Sequence, residues 1–452
     1  MLSALAVTAV LAAPALSACT VSPAAAPVVG AVATPRPDGD HTRVEGLTQL
    51  LQSRFLAVEH GDRTAWLAAL SPEVRSADRA AQGRTFDRMR AMGVGDLQVV
   101  SVVESPRTAT ASPTVTTTSP GVTTTSAAAA PEITSGEWRA TVTASYRLTG
   151  YDSAPRTFAV DLTMGGASDP TATPAGDATP RIRTWVPAER PQPWDLEGLR
   201  VRRSPDALLL VVGSEAKLAE LARRAQEAAG RVASVWGKAE PSVWIAPDSD
   251  DDAARLLGRA TAGISGLAAV TDGPLETGEP AGADRIVVVP SAWGRLSGNG
   301  RDVVLTHELT HATVRASTTR AVPSWLAEGF ADFVAFGPIR LPERKVVAPA
   351  LDLVRSHGLP EALPADTDFY PAAGRVEAAY GLSLLAVRTL AERHGTAALV
   401  RLYRDAAGAL SVPTASLGDA EATTDLALEQ LGTDRATLVT QWRARITSLL
   451  AR

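Results

Sequence analysis

The sequence predicts an α+β protein built in two folded parts, an N-terminal helix-plus-antiparallel-sheet domain and a following domain with a small sheet and a helical C-terminal part. Three observations carry this. One amphipathic helix followed by β-patterned runs occupies roughly residues 41–190. From about 205, strands and helices alternate, and beyond about 300 the apolar pattern is almost wholly helical. The 452 residues exceed what one ordinary domain needs, and a 45% hydrophobic content leaves enough apolar material for two cores. The net charge of −5 offers no basic footprint, which argues against a nucleic-acid partner.

Taken in order, Val44, Leu47, Leu51, Phe55 and Val58 keep helical spacing and predict an amphipathic helix over 42–59. Strand-like runs follow at 97–104, 137–149, 156–164 and 181–186, the middle two joined by a turn containing Gly150 and Pro155. A Thr/Ser/Ala/Pro segment at 105–131 cannot build a core and reads as a disordered loop. The order of helix and then sheet resembles the cone-shaped fold of nuclear transport factor two in topology alone. We place this domain at 41–200 and the next at 201–452. The second begins with strand 207–213, helix 214–236, strand 242–246, a helix near 251–260 and strand 285–290. Helices are then expected at 301–316, 323–336, 345–357, 375–394, 396–407 and 433–451. The acidic run Asp248-Ser249-Asp250-Asp251-Asp252 reads as a capped, solvated helix start, because it lacks the Gly and closing Glu of a calcium loop.

Residues 1–18 are nearly all apolar or small and read as an export signal peptide, although no Lys or Arg precedes them. Cys19 is the only cysteine, so no internal disulfide is possible. Leu16-Ser17-Ala18-Cys19 resembles a bacterial lipobox, which implies a lipidated Cys19 and a chain held at the cell membrane, facing the extracytoplasmic side. Residues 19–40, rich in Pro, Ala and Gly, would then be a flexible tether.

The chemistry concentrates in NGRDVVLTHELTHATVR, with Asn299-Gly300 read as a turn and Asp302 as the helix N-cap. His307 and His311 lie four apart, one turn along one helix face, where two imidazole nitrogens can share a Zn²⁺ ion. Glu308 is offset around the helix, placed to take a proton from water rather than to bind the ion. A catalytic zinc site needs a third protein ligand. Val314 and Ser317 stand where a metzincin would have Gly and His, which removes that version. Glu328 in PSWLAEGFADF, with sixteen residues between it and His311, supplies a carboxylate on a second helix. The remaining histidines, His41, His60, His357 and His394, show no ligand spacing.

HELTH followed by WLAEGFADF resembles the gluzincin metallopeptidases, the clan of thermolysin and the aminopeptidase N-like enzymes, over roughly residues 285–395. The interval between the two motifs is slightly shorter than is usual there. The resemblance implies a zinc peptidase with His307, His311 and Glu328 as ligands and Glu308 as general base. It also implies that Asp332 accepts a hydrogen bond from the first ligand histidine, and that a tyrosine donates to the developing oxyanion. Tyr380 is the candidate for that role and Tyr370 the reserve. An edge strand before the metal helix, which strand 285–290 would supply if it is not internal, would pair with a peptide or protein substrate. The Gly-x-Met-Glu-Asn run that marks aminopeptidases is absent; PSAWGRLSGNG stands there, so endopeptidase action is at least as well supported. A different class remains open: a surface lipoprotein that binds a peptide or protein, with a structural or vestigial zinc site.

Overall fold

The computed structural model describes residues 39–105, 137–165, 180–274, 278–409 and 419–451. The expected signal segment, Cys19, nearly all of the tether and all but one residue of the 105–131 segment lie outside them. The chain is mixed α and β, with an antiparallel four-stranded sheet, a second mixed sheet and C-terminal helices. Its described residues divide into two compact units, one within 32–146 and 157–190, the other within 147–156 and 191–452.

In the first unit, α1 (Gly39–His60) buries Leu47, Leu51, Phe55 and Val58, the stripe expected from the sequence, while Val44 is only partly covered. Two further helices, α2 (Arg63–Ala68) and α3 (Ser76–Met92), were not legible as such. In α3 the buried apolar residues reduce to Phe86, Met89 and Met92 among charged neighbours, a pattern too thin to register; Gly93, at φ 74°, ends it. The sheet runs β1 (Val94–Glu104), β2 (Trp138–Leu148), β3 (Arg156–Gly165) and β4 (Arg181–Pro187) in sequential order. Alternate residues of β3 (Phe158, Val160, Leu162, Met164) are buried, the period-two signature of a sheet with one covered face.

The second unit has a five-stranded sheet of β5 (Leu199–Arg203), β6 (Ala207–Val212), β7 (Ser242–Ala246), β8 (Ala269–Asp272) and β9 (Arg285–Val288), ordered β5-β6-β7-β9-β8. The three central strands β6, β7 and β9 are parallel, and each edge strand is antiparallel to its neighbour. The strand expected at 285–290 is therefore internal, and it is shorter because Pro290 opens α6 (Pro290–Arg295). The edge beside it is β8, which the sequence did not reveal. A four-residue AVTD and the charged LRVRR of β5 are the short or charged strands that sheets place at their edges, and neither gives a strong apolar signal.

Helix α4 (Glu215–Trp236) covers the sheet, and α5 (Asp250–Leu257) starts as expected from the acidic run, with the Ser249 side chain accepting from the Asp252 N–H. The rest is helical: α7 (Gly298–Arg315), α8 (Ser324–Phe336), α9 (Glu343–Val346), α10 (Ala348–His357), α11 (Val376–His394), α12 (Thr396–Arg404), α13 (Ala420–Gln430) and α14 (Arg435–Ala451). α11 is buried along most of its length. It approaches α8 so closely at Gly329 that a Cβ there would stand 2.6 Å from the Ser383 carbonyl oxygen. The glycine after Glu328 is thus what lets α8 and α11 meet. Among the described residues no helix is long and apolar enough to cross a membrane.

Candidate metal centre

α7 starts earlier than its sequence suggests. Ser297, not Asp302, is the N-cap, its hydroxyl accepting from the Gly300 N–H, and Asn299-Gly300 forms the first helical turn. Asp302 is instead drawn to α4, where it pairs with the Arg224 and Arg231 guanidinium groups. From Val303 to Val314 every residue of α7 is buried, polar ones included. Thr306 and Thr310 satisfy their hydroxyls by donating back to the carbonyls of Asp302 and Thr306, each at 2.7 Å. His307, Glu308 and His311 have no such internal outlet, so their partners must come from other elements.

α8 supplies them. Its Glu328 carboxylate, 3% exposed, faces both imidazoles. The three ligand atoms form a small triangle: His307 Nε2 to His311 Nε2 is 3.0 Å, His307 Nε2 to Glu328 Oε2 is 3.1 Å, and His311 Nε2 to Glu328 Oε2 is 3.3 Å. One turn further along α8, Asp332 Oδ1 lies 2.8 Å from His307 Nδ1. That contact fixes the ring. A carboxylate only accepts, so Nδ1 carries the hydrogen, and in the neutral ring the Nε2 lone pair points at the other two ligand atoms.

Lone pairs so converged repel one another unless something positive lies among them. Glu328 Oε2 is buried and receives no hydrogen bond, which would cost about 1–3 kcal/mol or more if nothing compensated it. Tetrahedral coordination with bonds of about 2.0–2.1 Å sets ligand atoms about 3.3 Å apart, close to the observed separations. This buried group of His307, His311 and Glu328 could hold a metal ion. The electrostatics point the same way. Burial works to lower the His307 pKa, yet the Asp332 and Glu328 carboxylates hold it well above the ordinary histidine value. Burial works to raise Glu328, but the two imidazoles bring it down to about 2. The pocket attracts positive charge.

Glu308 points elsewhere. Its Oε2 accepts a 2.7 Å hydrogen bond from the Thr271 hydroxyl on edge strand β8, and the same hydroxyl lies 3.0 Å from the Glu308 main-chain oxygen. Burial, only partly offset by the two histidines, raises the pKa of this carboxyl. Thr271 gave no signal in the sequence, because it belongs to the short strand that went unrecognised.

Tyr380 sits on α11, 1% exposed, its ring centroid 6.0 Å from that of His307. Its hydroxyl hydrogen-bonds with Glu328, and Phe369 packs edge-on against its ring at 5.4 Å. Burial, followed by the Glu328, Asp332 and Glu308 carboxylates, pushes the phenol pKa well up, so the hydroxyl stays a donor. Tyr370, half-buried, only follows the turn that carries Phe369. The structure thus brings together His307, Glu308, His311, Glu328, Asp332 and Tyr380 from three helices. His60 and His357 are exposed at helix ends, His394 is part-exposed at another, and the side chain of His41 lies outside the described residues. Set against protein-family models, curated proteins and solved structures, the chain finds no match.

Proposed function

We propose that this chain is a zinc-dependent metallopeptidase of gluzincin type, tethered by a lipid on Cys19 to the extracytoplasmic face of the cell membrane. The observation that carries the catalytic part is the buried triangle of two imidazole nitrogens and one carboxylate oxygen, 3.0–3.3 Å on a side, with a second glutamate adjoining it. Two histidines and one carboxylate are the donor set of many catalytic zinc sites, and three protein ligands leave a coordination position for the reaction. Zinc, when bound, supplies Lewis acidity and makes water acidic near neutral pH.

The chain's own groups do the rest. Glu308 accepts the proton of the attacking water and delivers it to the departing amine, a task suited to a carboxyl whose pKa burial has raised toward neutrality. The Tyr380 hydroxyl, kept protonated, donates to the carbonyl oxygen as negative charge develops on it. Asp332 holds the His307 ring by its Nδ1–H. Edge strand β8, paired with β9 on one side, is where an extended peptide would add once the buried outer edge is uncovered, held by its main chain with little regard to side chains.

The test is metal content together with digestion of a broad peptide mixture. Purified protein should carry close to one zinc per chain and cut peptide bonds. Glu308→Gln should keep the zinc while turnover falls by about two to four orders of magnitude. Full zinc with an uncut mixture would sink the peptidase reading and favour a binding lipoprotein. Undiminished turnover in the Gln variant would remove Glu308 from its role.

A further inference from the structure

Resting on the peptidase reading, we propose that Thr271 is the positioning residue of the general base: its hydroxyl fixes the Glu308 carboxylate from the edge strand of the sheet. The geometry is specific. Glu308 follows the first ligand histidine on a helix that is buried all round, and its carboxylate could adopt several rotamers about its side-chain torsions. The Thr271 hydroxyl, 2.7 Å from Oε2, ties it to another element. Thr271 is itself 4% exposed. It is anchored by strand pairing with Ile286 of β9, and its β-branched side chain has restricted torsions. The restraint is therefore a stiff one.

The hydroxyl also suits a group that gains and loses a proton during turnover. It has one hydrogen and two acceptor lone pairs. Toward the Glu308 carboxylate it donates. When that carboxyl has taken up a proton, the Thr271 hydrogen can turn to the Glu308 main-chain oxygen, 3.0 Å away, and its oxygen can accept from the acid. One small rotation keeps every polar atom of the pair satisfied in both states. A valine there, of the same shape, would satisfy neither.

Placement on β8 has a second consequence. The strand that would receive the peptide main chain is the strand that holds the base, so seating of the substrate and aim of the carboxylate share one rigid element. Arg156, the first residue of β3, steadies it, with Nη2 2.5 Å from Asp272 Oδ2 and Nη1 bonding the main-chain oxygens of Asp272 and Ala283.

The test compares Thr271→Val, Thr271→Ser and the parent chain as full-length, zinc-loaded proteins on a peptide that the parent cuts, alongside crystal structures of the three in metal-free form. Thr271→Val should lower kcat by about ten- to a hundredfold, the range typical of groups that orient a reacting residue. KM and zinc content should stay within about twofold, and Thr271→Ser should restore most of the rate. In the crystals Glu308 should leave its position in the Val variant and keep it in the Ser variant. Unchanged kcat in Thr271→Val, a loss that follows zinc content, or a Glu308 carboxylate that stays put without the hydroxyl would each overturn the assignment. A parent chain that cuts nothing would instead sink the peptidase reading, and the crystals would still decide whether Thr271 holds Glu308.

Discussion

Helix α7 carries two polar groups less than two turns apart, one half-buried and one buried, and they obey opposite rules. Asp302 faces α4, where Arg224 and Arg231 meet its charge and Arg224 also bonds the Gly298 carbonyl. That group is complete within the protein. His307 and His311 face α8, where Glu328 and Asp332 bring two further carboxylates and leave Glu328 Oε2 without a hydrogen bond. This second group could hold a metal ion among its converging atoms. The difference teaches how to separate structural burial of charge from functional burial. Paired charges hold helices together, whereas converging lone pairs on two rigid helices mark a place made for something else.

The largest expected effect breaks the comparison on its second side. Glu328→Ala removes one of three ligand atoms, and zinc affinity measured by competition with a chelator should fall by more than about a hundredfold, beyond the loss typical of groups outside the ligand shell. The metal-free chain should still fold, because α8 is held in the core by Trp325, Leu326, Phe330 and Val334. Asp302→Ala should do the reverse. It takes one of two carboxylate partners from Arg224, which keeps Glu220 and the Gly298 carbonyl, and should cost about 1–2 kcal/mol in denaturant melts while zinc affinity holds. If Asp302→Ala emptied the site, or Glu328→Ala unfolded the metal-free chain, the two groups would not be distinct in kind.

Asp332 lies between the two cases, since it touches a ligand without facing the ion. Asp332→Ala should weaken zinc binding by about ten- to a hundredfold, through loss of the Nδ1 contact that fixes the His307 ring. A loss as large as that of Glu328→Ala would make Asp332 a ligand in its own right.

The two groups also differed in how far the sequence exposed them. HELTH and the later Glu328 were legible because ligand spacing on a helix is local: residues four apart share a face whatever surrounds them. Asp332 and Tyr380 were reachable only through resemblance, since nothing in their own neighbourhoods says that α8 packs on α7 and α11 on α8. Gly329 shows why, as its lack of a side chain matters only once Ser383 is known to lie against it. The partners of Asp302 were misread outright, because an aspartate near a helix start looks like a cap, and Arg224 is 78 residues away in sequence. Thr271 was invisible for a related reason. A four-residue edge strand has too little apolar pattern to be seen, and its contact with Glu308 spans 37 residues.

The smallest expected effect sharpens the comparison through pH. In the metal-free chain, the Asp332 and Glu328 carboxylates outweigh burial and raise the His307 pKa well above its ordinary value of 6.5. A raised value means that the folded state binds a proton which the unfolded state releases near that ordinary value. The stability this contributes is fully present below about pH 6.5 and is lost as pH rises through the folded-state value. The metal-free melting temperature should therefore decline as pH rises above about 6.5, and it should decline less in Asp332→Ala, where one of the two carboxylates is gone. With zinc bound, His307 is a neutral ligand and has no such proton to lose, so the decline should vanish. Proton and metal compete for the same lone pair, so zinc affinity should strengthen over the pH range in which the metal-free chain weakens. Melts of both forms across that range, with calorimetry in two buffers to count the protons that zinc displaces, would check this. Parallel pH profiles with and without zinc would show that the ion does not sit against His307. The Asp302 group, with no histidine among its members, should contribute nothing to the difference between the two profiles.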